Sequence, residues 1–198
     1  MSHYYLNDES LMHEEQILDV SIKDVSMRLH TDKGVFSKGA LDYGTRVLLE
    51  TIQLSDDVKT VVDMGSGYGP ISIYLAKVYP DKAIFAYDVN ERAIELTNKN
   101  IKENKVNHVK AQVSFLFDNV NHKADAVVTN PPIRAGKKTV FQLYEGAYQA
   151  LNDHGVLYVV IQKKQGAPSS VEKLQSLFGN CTILERKSGY WILFSQKF

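Results

Sequence analysis

The sequence predicts an α/β fold. Its core is a mostly parallel seven-stranded sheet with helices on both faces, a C-terminal antiparallel hairpin and a short N-terminal β-hairpin. Three observations carry this expectation. From Lys59 onward, short apolar runs alternate with stretches of helical periodicity. Val156 to Ile161 is a nearly continuous apolar run, as expected of a strand covered on both faces. The last two apolar runs are separated only by Lys187-Ser188-Gly189, a hairpin spacing.

Taken in order, residues 1–16 are polar and acidic and read as a flexible tail. Ile17 to Ile22 and Val25 to His30 alternate apolar and polar residues around Lys23-Asp24, which predicts the N-terminal hairpin. Leu41 to Leu54 places Leu41, Val47, Leu48 and Ile52 at helical spacing, with Asp42 near the start. Strands are expected at Thr60–Met64, Ala83–Tyr87, Val109–Val113, Ala124–Thr129 and Val156–Ile161. Helices are expected at Pro70–Val78, Glu91–Glu103, Thr139–Leu151 and Ser169–Phe178, the third stopping near Asn152-Asp153-His154-Gly155. Thr182–Arg186 and Tyr190–Ser195 would form the closing hairpin, inserting one antiparallel strand. Residues 17–198 then make one domain, with residues 17–39 as hairpin and following loop.

Composition narrows the function classes. Of 198 residues 44% are hydrophobic and 23% charged, the balance of a globular protein able to bury one core unaided. Cys181 is single and sits in an apolar stretch, so it reads as packing and not as a nucleophile. The start lacks the apolar run of a signal peptide, and no stretch approaches the roughly 20 apolar residues of a membrane span. A cytoplasmic location is therefore expected. Lys plus Arg equals Asp plus Glu, at 23 each, which argues against one broad basic face but leaves room for a local patch. The six histidines show no metal-ligand spacing, so no metal is expected.

Two constellations carry chemistry. The first is Asp63-Met64-Gly65-Ser66-Gly67-Tyr68-Gly69, between a strand and a helix. Alternate glycines allow a tight turn and close approach of a ligand, with the first helical N–H groups facing it. The spacing is G-x-G-x-G and not the G-x-G-x-x-G of dinucleotide enzymes. A carboxylate two positions ahead, Asp63, would oppose a pyrophosphate but suits an ammonium group. S-adenosylmethionine carries an ammonium and a sulfonium and no phosphate. Asp88, at the end of the next strand, is placed to accept from ribose hydroxyls; the plainer alternative is a cap for the helix starting near Glu91.

The second is Asn130-Pro131-Pro132-Ile133, directly after the strand Ala124–Thr129. The prolines fix the loop and remove two donors, leaving acceptors: the Asn130 side-chain oxygen and the Pro131 carbonyl. An amino group on an aromatic base is a poor nucleophile. Two acceptors holding its hydrogens orient the nitrogen and stabilise the charge that develops there.

These motifs resemble those of the small-subunit ribosomal RNA guanine-2-amino methyltransferases, which are class I, Rossmann-like enzymes using S-adenosylmethionine. The resemblance rests on Gly34-Val35-Phe36-Ser37, Leu41-Asp42-Tyr43-Gly44, the glycine loop, Asp88 and Asn130-Pro131-Pro132-Ile133, and runs from about residue 17 to the end. It implies cofactor binding by Asp63, Gly65, Ser66, Gly67, Gly69, Asp88, Val89, Ser114, Phe115 and Asn130. It implies a cover over the cofactor from Phe36 to Lys38, and a grip on the target amine by Asn130, Pro131 and Pro132. There are three departures. Relatives usually have Asp where this chain has Phe115, so the adenine contact must come from a backbone group or Ser114. Ile133 replaces an aromatic that would stack on the target base, leaving Phe36 or Tyr68 as substitutes. The best-known members have two tandem domains, and this chain has room for one.

Ile133, Arg134, Lys137 and Lys138 directly follow or complete the motif, and Lys163 and Lys164 follow the next strand. The basic residues read as a local phosphate-contacting patch, giving RNA, most simply ribosomal RNA, as partner. Adenine-amino and protein-glutamine methylation remain alternatives, as does a non-catalytic RNA-binding or assembly factor that kept the fold.

Overall fold

The computed structural model describes residues 15–32 and 39–198. The expected tail, up to residue 14, and the expected cofactor cover around Phe36 lie outside the described residues. The elements run β1 (Gln16–Ile22), β2 (Val25–Thr31), α1 (Tyr43–Thr51), β3 (Thr60–Met64), α2 (Pro70–Val78), β4 (Ala83–Asp88), α3 (Glu91–Glu103), β5 (Val109–Val113), β6 (Ala124–Thr129), α4 (Lys137–Ala150), β7 (Leu151–Gln162), α5 (Ala167–Phe178), β8 (Thr182–Lys187) and β9 (Tyr190–Gln196).

The seven-stranded sheet has the order β5-β4-β3-β6-β7-β9-β8. β3, β4, β5, β6 and β7 are parallel, and β9 slots antiparallel between β7 and β8, as expected of the closing hairpin. Strand alternation divides the core into two layers. Val61, Val128 and Val160 face one layer with Leu48, Ile73 and Leu96 of α1, α2 and α3. Val62, Val127 and Val159 face the other with Leu143 of α4 and Leu174 of α5. The chain moves outward from β3 through β4 to β5, then crosses back to β6 on the other side of β3. That reversal opens a crevice at the carboxyl ends of β3 and β6, where open α/β sheets bind ligands.

Four elements differ from expectation by two residues or more. α1 is shorter than Leu41–Leu54, because Asp42 accepts the Thr45 N–H as its N-cap and Ile52 is already extended. α4 and α5 each begin two residues early, after Gly136 and Gly166, whose positive φ values of 92° and 109° turn the chain into the helix. Asn152-Asp153-His154-Gly155 reads as a turn but belongs to β7. The C-terminal segment holds it in the sheet: His154 N–H donates to the Lys197 carbonyl and Lys197 N–H to the Gly155 carbonyl. The irregularity appears instead as a shift in pairing between Ala124 and Ala126.

The β1–β2 hairpin pairs only with itself and docks on α3. Asn100 of α3 receives His30 N–H at 2.6 Å and donates to the His30 carbonyl at 3.0 Å. Its Nδ2 also donates to the Tyr68 carbonyl at 2.8 Å, tying the hairpin to the glycine loop.

Candidate active site

The glycine loop leaves β3 at the crevice. Gly65, Gly67 and Gly69 have φ values of 75°, 57° and 87°, a region that favours glycine. A Cβ on Gly67 would meet nothing within 4 Å, and one on Gly65 would meet only the Asn130 carbonyl, at 3.9 Å. Space therefore lies over this part of the loop. The expectation that its N–H groups face a ligand needs correction. Gly65 and Ser66 N–H donate to the Tyr87 carbonyl, Gly69 N–H to the Ser66 carbonyl, Gly67 N–H to Asp88, and Ser72 N–H to Asp63. With its donors engaged internally, the loop is poorly equipped to cradle a phosphate.

What the loop does offer is buried acceptor capacity. Asp63 is fully buried, and its Oδ2 accepts the Ser72 N–H at 3.0 Å and hydroxyl at 2.6 Å. Its Oδ1 and the Ser66 hydroxyl are buried without a hydrogen-bond partner. Orphaned buried polar atoms are costly unless something pairs with them. Burial pushes the Asp63 carboxyl up to about 7; Ser72 opposes this and the Asp88 charge adds to it. A cation placed at Oδ1 would satisfy the lone oxygen and restore the ionised form.

Asp88 ends β4 beside the loop and accepts from Gly67 N–H at 2.8 Å and from Asn90 N–H at 2.9 Å. The plainer reading of Asp88 as a helix cap fails: Asn90 caps α3, accepting the Ala93 N–H. Val89 lies between them, half-buried. At the end of β5, Ser114 N–H donates to the Asp88 carbonyl. The Ser114 hydroxyl donates to the Leu116 carbonyl and accepts from Asn119 N–H, so it closes its own loop and is not spare for an adenine. Phe115 beside it is 48% exposed and presents an apolar ring.

Asn130 stands at the end of β6, across the crevice. Its Nδ2 donates to Asp42 Oδ2 and to the Thr45 hydroxyl, both at 3.0 Å. Its Oδ1 accepts from no described residue. The Pro131 carbonyl, expected as a second acceptor, already receives Ile133 N–H at 2.8 Å and keeps one lone pair. Pro132 is followed by a single 3-10 turn, Ile133–Ala135. A small cavity of about 80 Å3 opens beside it, lined by Ile133, Lys137, Phe141, Ile161, Gln165 and Ser169 among others.

Arg134, Lys137 and Lys138 follow β6, and Lys163 and Lys164 follow β7, so all five lie at the carboxyl ends of parallel strands, as expected. None forms an ion pair with a described residue. Tyr68 is 2% exposed and packs in the core, so it has no face to stack on an incoming base. Tyr144 is likewise buried. Cys181 packs against the core and burial raises its thiol, which fits a packing role. Among the described residues no group of His, Cys, Asp or Glu is arranged to hold a metal, and no described helix is long and apolar enough to cross a membrane. Sequence reasoning missed Asp42 and Thr45 as partners of Asn130. The signal was an Asp three residues ahead of a Thr, which reads as a cap and nothing more.

Strand order, a glycine loop after β3, an acid after β4 and an Asn-Pro-Pro turn after β6 together define a Rossmann-like methyltransferase fold. Residues 26–194 match the family model of the methyltransferase small domain. The chain is 40% identical over 197 residues to the uncharacterised protein YbxB of Bacillus subtilis, covering 98% of each. The chain belongs to the methyltransferase small domain family. It is 28% identical over 191 residues to ribosomal RNA small subunit methyltransferase C of Acinetobacter baylyi, covering 92% of this chain and 55% of that protein. It spans about half of that relative's length. The structure superimposes with a TM-score of 0.81 and 25% identity on the Thermus thermophilus 16S rRNA N2 G1207 methyltransferase in complex with AdoMet and guanosine, covering 93% of this chain and 51% of that one.

Proposed function

We propose that this protein transfers a methyl group from S-adenosylmethionine to the 2-amino group of a guanine in ribosomal RNA, using a single methyltransferase domain over residues 17–198. The observation that carries the reading is the orientation of Asn130. With Nδ2 held by Asp42 and Thr45, Oδ1, which accepts from no described residue, is an acceptor at the carboxyl end of the sheet, beside the glycine loop. The named activities of the relatives support the RNA substrate.

S-adenosylmethionine supplies an electrophilic methyl group on its sulfonium. The residues present fit it. Asp63 Oδ1, buried and without a partner among the described residues, would take the ammonium; the Ser66 hydroxyl, in the same state, would add a polar contact. Gly65, Gly67 and Gly69 shape the turn and leave the room above it. Asp88, held in place by the Gly67 and Asn90 N–H groups, would accept from the ribose hydroxyls, with Val89 beside it. The exposed Phe115 ring would offer the adenine an apolar contact in place of a carboxylate hydrogen bond.

On the RNA side, Asn130 Oδ1 and the remaining lone pair of Pro131 accept from the target amine, and Pro132 stiffens the turn. They orient the nitrogen and stabilise the positive charge it gains as the new C–N bond forms. The nitrogen releases its proton to water. Ile133 and the adjoining cavity take the apolar face of the base, while Arg134, Lys137 and Lys138 contact phosphates. The place of action on this reading is the cytoplasm, where ribosomes assemble.

The test is transfer of labelled methyl to naked ribosomal RNA, small subunits, large subunits, tRNA and protein extract from a deletion strain. Label in ribosomal RNA, released as a methylguanine on digestion, is the expected result. Label only in protein would move the activity to a glutamine amide. Cofactor binding without label anywhere would make the protein a non-catalytic factor.

A further inference from the structure

Asn130 is held by a device drawn from three separate parts of the chain. Asp42 Oδ2 accepts from Thr45 N–H at 2.8 Å, from the Thr45 hydroxyl at 3.2 Å and from Asn130 Nδ2 at 3.0 Å. The Thr45 hydroxyl accepts in turn from the same Nδ2. Turning the Asn130 amide over would set its oxygen against a carboxylate, acceptor against acceptor. The amide therefore has one stable orientation, with Oδ1 outward.

The first turn of α1, which carries Asp42 and Thr45, is seated by the closing hairpin. The Tyr190 ring lies over Gly44 so closely that a Cβ there would come within 2.6 Å of it. Tyr43 leans on the same ring at 5.9 Å between centroids, and its hydroxyl lies 3.2 Å from that of Ser188. Lys187 bonds Glu50 further along the helix, at 2.9 Å. The path from β8–β9 through Gly44 and Asp42 to Asn130 is continuous.

We propose that Asp42 and Thr45 are positioning residues for methyl transfer: they fix the face of the Asn130 amide, and the Asp42 charge draws its N–H dipole inward and enriches Oδ1 as an acceptor. This rests on the reading of Asn130 as the group that grips the target amine. A charge-assisted hydrogen bond on the amide nitrogen strengthens the acceptor on the same group. Loss of the hold lets the amide rotate, and misplacement on the scale of about 1 Å can cost on the order of a hundredfold in rate.

Two measurements test this. In the unloaded protein, the Asn130 side-chain NH2 should give a protected resonance pair in 15N NMR, assigned by its disappearance in Asn130→Asp. Asp42→Ala should abolish that protection. Fast exchange in the wild type, or protection that survives Asp42→Ala, overturns the hold. In the methyl-transfer assay, Asp42→Ala should lower kcat by roughly ten- to a hundredfold while KM for RNA and Kd for the cofactor stay within about twofold. Thr45→Ser should keep the rate and Thr45→Val should lose it. A kcat unchanged in Asp42→Ala overturns the positioning role. Asp42→Asn, which retains a capping oxygen, serves if the alanine variant does not fold, and should lose less rate. An inactive wild type removes the proposed function, while the NMR result still decides whether Asp42 holds Asn130.

Discussion

Asp63 and Ser72 form a closed pair: one carboxylate oxygen takes both the backbone N–H and the hydroxyl of Ser72, and the other is buried with no partner among the described residues. Burial holds the carboxyl at about 7, well above its ordinary 3.8. Ammonium binding needs the ionised form. Affinity for S-adenosylmethionine should therefore rise by up to about tenfold per pH unit below 7 and fall again above about 8, where the α-amino group loses its proton, by titration calorimetry. Asp63→Asn should bind weakly with a flat profile. The unloaded protein moves the other way. Because the folded pKa exceeds the unfolded one, this group's stability contribution is full below about 4 and is lost as pH rises through about 7. A wild-type affinity independent of pH between 5 and 8 would falsify the assignment of Asp63 to the ammonium.

Asn130→Ala removes the acceptor and leaves the cofactor residues intact. Turnover should fall by roughly a hundredfold or more, as on loss of a transition-state hydrogen bond, with cofactor Kd nearly unchanged. Single-turnover transfer beside cofactor titration separates the two. Unimpaired turnover would remove the Asn-Pro-Pro turn from the chemistry.

Asp88→Ala should show the opposite split. Cofactor affinity should drop about tenfold or more, and stability should fall by about 1–3 kcal/mol because Gly67 and Asn90 N–H lose an acceptor. Denaturation and binding measured on the same variant check both. A destabilised variant with full cofactor affinity would make Asp88 a loop brace only.

Lys137→Ala with Lys138→Ala should weaken RNA binding with little change in cofactor affinity. If both contact phosphates of a single strand, the slope of log affinity against log salt should become shallower by about 1.4. An unchanged slope would reduce the pair to solvated surface charge.

At the opposite end of the sheet, Lys82 is 2% exposed, and its ammonium donates to the carbonyls of Ser55 and Val58 at 3.1 and 2.8 Å. Lys82→Met strands both carbonyls and should cost about 2–3 kcal/mol. Cofactor affinity measured in the cold should be unaffected. Equal stability of variant and wild type would mean water replaces the ammonium.

Strand alternation, the glycine loop and the Asn-Pro-Pro turn are local patterns, so the sheet and the positions of Asp63, Asp88 and Asn130 were readable from the chain. What was hidden depends on contacts across the fold. Asp42 looks like a helix cap, and it is one; that its oxygen also holds an amide 88 positions away follows only from the packing of α1 against β7 and β9, next to the end of β6. Asn152 to Gly155 have turn composition, yet pairing with the C-terminal segment keeps them in β7. Ser114 looked available for an adenine until Asn119 and Leu116 were seen to use its hydroxyl.

The side chain of Asn100 has a consequence for trimming and grafting this fold. One amide serves as a knot: both backbone groups of His30 and the Tyr68 carbonyl are fastened to it. The β1–β2 pair outside the main sheet is thus the anchor rope of the ligand loop. A version cut down to the seven strands and their helices would leave that knot largely undone, with two of the three side-chain bonds of Asn100 missing. Such a chain would keep its outline and lose its grip.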